Sequence, residues 1–210
     1  MSIRIGIYDF FAYTIPGGLM LCIALGVLDT FGFPDIWVKF FNLNTLQIFL
    51  LIIGCYLTGF VINPILSKWS HLFEPKPFEQ DAFDRFQKRN PALNLDINPV
   101  DWPIWMASIR RESMEMAFEI DRFLAISKMI RGISLFLLFS GLLALVNVII
   151  TRISAWYLPL IALSFIFSVV AVRESIKFKR WFYIVVFETV VSRQKPFSLK
   201  SETEKPVKKT

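Results

Sequence analysis

Histidine occurs once in the 210 residues, at His71, and cysteine twice, at Cys22 and Cys55. One imidazole without a cysteine pair cannot supply the ligand set of a zinc site, so no metal is expected. Both cysteines lie inside apolar runs, away from either aqueous redox compartment, and give no disulfide framework. The chain has no P-loop, no G-x-S-x-G elbow, no H-E-x-x-H pair and no dinucleotide fingerprint, which leaves no cofactor to expect. An N-x-S/T sequon is also missing. The most informative absence is of charge: no Asp, Glu, Lys, Arg or His stands in the middle of four long apolar runs. Proton relays, voltage sensors and ion-coupled carriers need such groups, so a pump is disfavoured. The two halves of the chain share no repeated motif, which argues against a transporter built from repeats.

What the chain has in quantity is apolar surface. A hydrophobic fraction of 55% and a mean hydropathy of +0.53 exceed what a soluble domain of this length buries around one core. A membrane crossing needs about twenty residues of helix. Four segments meet that length, at Phe10–Phe31, Leu46–Leu66, Gly132–Ile150 and Ile153–Val172. Soluble helices seldom stay apolar on every face through five turns. The expected fold class is an all-α integral membrane protein with four transmembrane helices.

Charge sets the expected orientation, because basic residues in short loops are retained on the cytoplasmic side. Of 23 lysines and arginines, the first connection holds only Lys39 and the third only Arg152. Ten lie between Lys68 and Arg131, ten more between Arg173 and Lys209, and Arg4 precedes the first run. Both termini and the central segment are therefore expected inside, in a bacterial inner membrane. Trp37, Phe40 and Phe41 at one outer boundary, and Trp156 and Tyr157 at the other, suit the interfacial preference of aromatic rings. Arg4 is the only basic residue before the first run and no A-x-A-like site follows, so that run reads as an uncleaved span. The chain divides into a first hairpin (1–67), a helical cytoplasmic segment and stalk (68–131), a second hairpin (132–172), a basic aromatic juxtamembrane helix (173–193) and a basic tail (194–210). The tail has no apolar face to bury and is expected to be disordered.

Apolar helices associate in lipid through small residues that let backbones approach. Gly18, Cys22 and Gly26 recur every four residues in the first span, and Cys55, Gly59 and Asn63, followed by Ser67, in the second. Ser140 with Ala144 and Ser164 with Ser168 make shorter versions in the last two. Such stripes serve packing within the chain or a homo-oligomer seam. Pro16, beside Gly17 and Gly18, and Pro64, after Asn63, remove backbone hydrogen bonds at a similar depth, so kinks are expected there. They would form either ordinary packed bends or a cytoplasm-facing vestibule.

In the central segment, Pro77 to Lys88 reads as a short amphipathic helix with Phe78, Phe83 and Phe86 inward. A second helix is expected from Asp101-Trp102-Pro103 without a breaker until Gly132, running on into the third span as a stalk. Ile109, Met116, Ile120 and Phe123 form its apolar stripe, with Arg111 near Glu115 and Glu119 near Arg122 as surface pairs. Glu112, Glu115 and Glu119 share part of one face, but His71 is distant and no ligand set completes them. An enzyme survives only as a lipid-modifying one with a diffuse site. Beyond the fourth span, Arg173, Lys177, Lys179, Arg180 and Trp181 are candidates for anionic head groups, either along the lipid surface or packed on the stalk. Nucleic acid is the less favoured partner for this stretch.

Tyr8-Asp9-Phe10-Phe11, Ile15-Pro16-Gly17, Gly54-Cys55-Tyr56-Leu57-Thr58-Gly59, Phe118-Glu119-Ile120-Asp121-Arg122-Phe123 and Phe178-Lys179-Arg180-Trp181-Phe182-Tyr183 mark the chain further. With this topology it resembles small four-span bacterial inner-membrane proteins, some found in anti-phage defence loci. The resemblance carries no catalytic residue and implies an accessory or effector role. The expected function is non-enzymatic: a protein that oligomerises, meets membrane lipids and a cytoplasmic protein partner, and answers a cytoplasmic cue by perturbing the membrane. The alternative is a passive anchor or scaffold for a soluble partner.

Overall fold

A computed structural model of the chain describes residues 7–30, 38, 40, 42–75, 77–91, 98–151 and 157–194. The expectations for Trp37, Phe41, Trp156 and the tail beyond residue 194 lie outside the described residues. Six α-helices make up the described chain: α1 (Ile7–Thr30), α2 (Thr45–His71), α3 (Phe78–Arg89), α4 (Trp102–Glu112), α5 (Met114–Thr151) and α6 (Leu158–Gln194). A 3-10 turn, Pro99–Asp101, leads into α4, and no strand occurs among the described residues. Helices α1, α2, α5 and α6 are long and apolar enough to cross a membrane.

Local chemistry starts and stops these helices. Asn44 and Gln47 form a reciprocal cap at the head of α2, each side chain accepting the other's backbone N–H at 2.9 Å. Both α1 and α2 continue through their internal prolines, Pro16 and Pro64. At about 1.5 Å per residue, α5 with 38 residues and α6 with 37 run roughly twice the thickness of a hydrocarbon core of about 30 Å. About half of each therefore stands beyond the apolar layer.

The spans pack through backbone proximity. A Cβ on Gly17 would overlap the Cys55 carbonyl oxygen of α2, and one on Gly59 would overlap the Tyr13 carbonyl oxygen of α1. On the other side of α1, the Pro16 ring fills the space that a side chain at Gly132 of α5 would need. Helix α1 is thus wedged between α2 and α5. The closest approach runs through Gly17 rather than Gly18, whose added Cβ would only touch Cys55 Sγ at 3.4 Å. Gly26 faces Leu143 of α5, so the expected Gly18, Cys22, Gly26 face is divided between two neighbours.

Two corrections concern the segment between the hairpins. The expected continuous stalk is broken at Ser113, which adopts an extended backbone (φ −146°, ψ 100°) between α4 and α5. Its amide donates to the Ile109 carbonyl at 2.8 Å, and its hydroxyl accepts from the Met116 N–H at 3.4 Å, so one serine ends one helix and opens the next. The break resets the helical phase. Ile109 and Ile120 remain buried, but Ala117 takes the inward position and Met116 turns outward. Arg110, rather than Arg111, makes the ion pair across the break, reaching Asp121 at 2.8 Å. The expected Glu119 to Arg122 pair is present at 3.7 Å.

The break also lets α3 and α4 fold onto the extension of α6. Phe78, Phe83 and Phe86 from α3, Met106 and Ile109 from α4, Ile120 from α5, and Phe182, Val186 and Phe187 from α6 share one core. Trp102 and Trp105 set their rings edge-on to Phe182 and Phe187. This four-helix head is built directly on the ends of the two long helices.

The Gly17 and Gly59 crossing is checked by thermal melting of the purified protein in neutral detergent. Gly59→Val is expected to lose about 1–3 kcal/mol, because its Cβ meets backbone that cannot rotate away. Gly54→Ala is expected to melt unchanged, since its Cβ would meet nothing within 4 Å.

Candidate functional site

Where the apolar windows give way to the head, the chain buries a layer of polar and charged side chains. Glu74, just past α2, is its hub: the side chain is 2% exposed. Its Oε1 accepts the Ser70 hydroxyl at 3.1 Å, while Oε2 takes Lys179 Nζ from α6 at 2.8 Å and His71 Nδ1 at 3.0 Å. Arg131 of α5 is 8% exposed and reaches the Ser70 hydroxyl at 3.3 Å and Asn63 Oδ1 at 3.4 Å. Trp69 Nε1 donates to Ser134 Oγ at 3.1 Å. These bonds join α2 to both long helices. On the flank facing α1, Lys128 meets the Tyr13 hydroxyl at 3.2 Å and Asp9 at 3.8 Å.

Above this layer α6 holds α3 by its acidic first turn. Arg180 Nε donates to Asp81 Oδ2 at 2.9 Å, and the Tyr183 hydroxyl donates to Glu79 Oε1 at 3.3 Å. Tyr183 belongs to the head core, beyond the residues of α6 that a bilayer spans. Burial, then the Glu79 charge, pushes its phenol well above the ordinary tyrosine range and keeps it a donor. From the head side of this layer into the apolar runs, α5 and α6 run antiparallel along a line of serines. Ser127 donates to the Ser175 carbonyl at 2.7 Å, Ser134 and Ser168 exchange bonds with each other's carbonyls at 2.8 and 2.7 Å, and Ser164 donates to the Leu137 carbonyl at 2.6 Å.

Some expected site residues come together and others do not. Cys55, Gly59 and Asn63 of α2 all meet neighbours, at α1 for the first two and at Arg131 for the third. Cys22 is half-buried in α1, Pro16 is fully buried against α5, and Pro64 is exposed. Among the five residues expected at head groups, Lys179 and Arg180 turn inward to Glu74 and Asp81. The first of these acids lies just past α2 and the second on α3. Trp181 carries the Arg89 guanidinium 4.7 Å above its ring, Lys177 pairs with Glu174 at 3.2 Å, and Arg173 is exposed.

Ser70, His71 and Glu74 are the residue types of a hydrolytic triad in the wrong order, since the serine bonds the carboxylate rather than the imidazole. Glu74 is held by three neighbours, Ser70 on one oxygen and Lys179 and His71 on the other. Glu112 accepts from Ser108 at 3.1 Å, Glu119 pairs with Arg122, and Glu115 is solvent-exposed. No group of three or more metal-ligating side chains occurs among the described residues. What the arrangement can do is couple: it makes the position of α2 depend on that of α5 and α6.

Sequence reasoning passed over Glu74, Arg131 and the outer serines. A signal for the last existed, since Ser127 with Ser134 and Ser168 with Ser175 are each seven apart on helices that run antiparallel. Compared with family models, curated proteins and solved structures, the chain matches none.

Removing the hub carboxylate leaves Lys179 and Arg131 without it. Glu74→Gln is expected to cost about 2–4 kcal/mol, short of the largest values for buried pairs because the Lys179 side chain keeps 17% exposure. Glu174→Gln, in an exposed pair of the same type, is expected to cost under about 0.5 kcal/mol. Melting in detergent compares the two, and equal losses would contradict a hub at Glu74.

Proposed function

We propose that the protein is a non-enzymatic, multi-pass protein of the bacterial inner membrane that oligomerises, receives a cytoplasmic cue on its head and perturbs the membrane in response. The setting suggested by its resemblance is an anti-phage defence system, with the protein as effector or sensor. Both termini and the head are taken as cytoplasmic, on the strength of the basic residues between Lys68 and Arg131 and after Arg173. One observation carries the reading: α5 and α6 pass without interruption from the head into the apolar layer, and the Glu74 and Arg131 network fastens α2 to both. A cue that displaces α3 or α4 would shift two spans directly, because no break separates the head core from the serine seam.

A second reading, a passive anchor for a soluble partner, is favoured by Val100 and Ile104. These residues stand one turn apart on the outer side of the head, 69% and 68% exposed, and offer an apolar contact to another protein.

Depolarisation in cells separates the two. With a potential-sensitive dye, induction to high copy is expected to depolarise cells making the wild-type protein, and far less those making Glu74→Gln at matched membrane level. Unchanged potential with the wild type removes the perturbation reading. A stoichiometric soluble partner recovered by crosslinking, with activity retained after the spans are exchanged for unrelated ones, moves the assignment to the anchor. Reporter fusions after Asp35, Asn94 and Arg152 test orientation, and a cytoplasmic signal at Asp35 overturns it.

A further inference from the structure

Three cations lie mostly inside the polar layer, Lys128, Arg131 and Lys179, against two carboxylates, Asp9 and Glu74. Lys179 holds Glu74 at 2.8 Å and Lys128 holds Asp9 at 3.8 Å. Arg131, the most deeply buried of the three, is the one left over. Among the described residues no carboxylate lies within ion-pair distance of it. Its two bonds, 3.3 and 3.4 Å, go to a neutral hydroxyl and a neutral amide oxygen, well beyond the roughly 2.7–2.9 Å of an arginine bonded to an anion. Its Nε is buried and has no acceptor at all. Glu74 reaches it only through the shared Ser70 hydroxyl, and a guanidinium taken out of water without a directly bonded anion is one of the costlier arrangements in a protein. What this position lacks is an anion in direct contact with the guanidinium, whose Nε has no partner.

The surroundings say which kind. Arg131 sits one residue before Gly132, where α1 crosses α5 and where the charge-free apolar run of α5 begins. Lys128 is one turn away on the same helix, with the Tyr13 hydroxyl beside it. Pro64 and Lys68, next to and one turn beyond Asn63 on α2, are exposed. A planar fork with spare N–H donors beside an ammonium and a phenol is the donor set that fits a phosphate oxygen pair. We infer that Arg131, assisted by Lys128 and Tyr13, binds a phosphate-bearing anion between α1, α2 and α5, supplied as the head group of an anionic phospholipid. This places the lipid contact away from Lys179 and Arg180, whose charges are spent on Glu74 and Asp81. The site depends on the membrane placement of the helices and not on the effector reading, so depolarisation and lipid binding fail independently.

The test uses the full chain in neutral detergent at low salt, melted with phosphatidylglycerol added in mixed micelles or with inorganic phosphate. Phosphatidylglycerol at ten times its Kd is expected to raise the wild-type Tm by about 4 °C. Arg131→Met is expected to show no such rise, each protein being compared with its own lipid-free Tm because the variant also loses the bonds to Ser70 and Asn63. Should that variant not fold, Arg131→Lys keeps the charge without the fork, and its lipid-induced rise is expected to fall by at least half. Equal rises in wild type and variant, or no rise in the wild type with either anion, overturn the site. A rise with inorganic phosphate matching that with phosphatidylglycerol overturns the lipid assignment and keeps the phosphate chemistry.

Discussion

Every other element of this protein is placed by the seam between α5 and α6. Its serines are small enough to let two backbones come close, and each hydroxyl is satisfied by a carbonyl rather than left bare in an apolar medium. Each such bond is worth only about 0.6 kcal/mol in a membrane, so their larger effect is on register. Ser127 opposite Ser175 and Ser134 opposite Ser168 admit one axial alignment, and a slip of one turn would strand several hydroxyls. With that alignment fixed, Gly132 offers its bare surface to Pro16 of α1, and the extension of α6 reaches the height at which α3 and α4 can close on it.

The charged layer occupies the level where the apolar windows end and the head core begins. Buried ion pairs seldom add net stability compared with apolar packing, but they penalise wrong partners heavily. In this chain they discriminate between ways of docking the first hairpin. Glu74 must find Lys179, and Arg131 must find Ser70 and Asn63, which fixes the rotation and depth of α2 beside α5. The glycine crossing between α1 and α2 is apolar and sets how closely the two backbones approach. The two contacts are complementary, one giving closeness and the other giving register.

The four spanning helices were legible in the sequence because hydropathy over about twenty residues is a strong, local signal. The phenylalanines of α3 were legible for the same reason, their spacing matching one helical face. Three features were not. The break at Ser113 has no proline or glycine to announce it, and the serine that makes it also occurs freely inside helices. Gly17 and Gly18 are equally small, and only the presence of two neighbours around α1 decides which of them faces α2. Glu74 and Arg131 stand at the ends of apolar runs, where charges read as topology markers; burial, which gives them their role, is a property of tertiary packing. The inward turn of Lys179 and Arg180 belongs to the same class, since basic residues near aromatics look alike whether the counter-charge is a lipid or a helix packed on them.

The continuity of the long helices constrains how this molecule can respond to anything that binds its head. From Met114 to Thr151 the backbone has no interruption, so a displacement of the head cannot be absorbed by a hinge in α5. It must appear as a tilt or rotation of the whole helix. The contact of Pro16 with Gly132 then acts as the fulcrum, because it lies one residue from Arg131, between the head core and the part of the serine seam from Ser134 onward. On one side of that point the lever is set in an aromatic core; on the other it is held to α6 by the serine bonds, which fix its register. Closely packed helices of this kind rearrange between discrete alignments rather than deform smoothly. The most expensive bonds to break during such a step are those of Glu74 and Arg131, so the state of the polar layer sets how firmly the spans are held to one alignment.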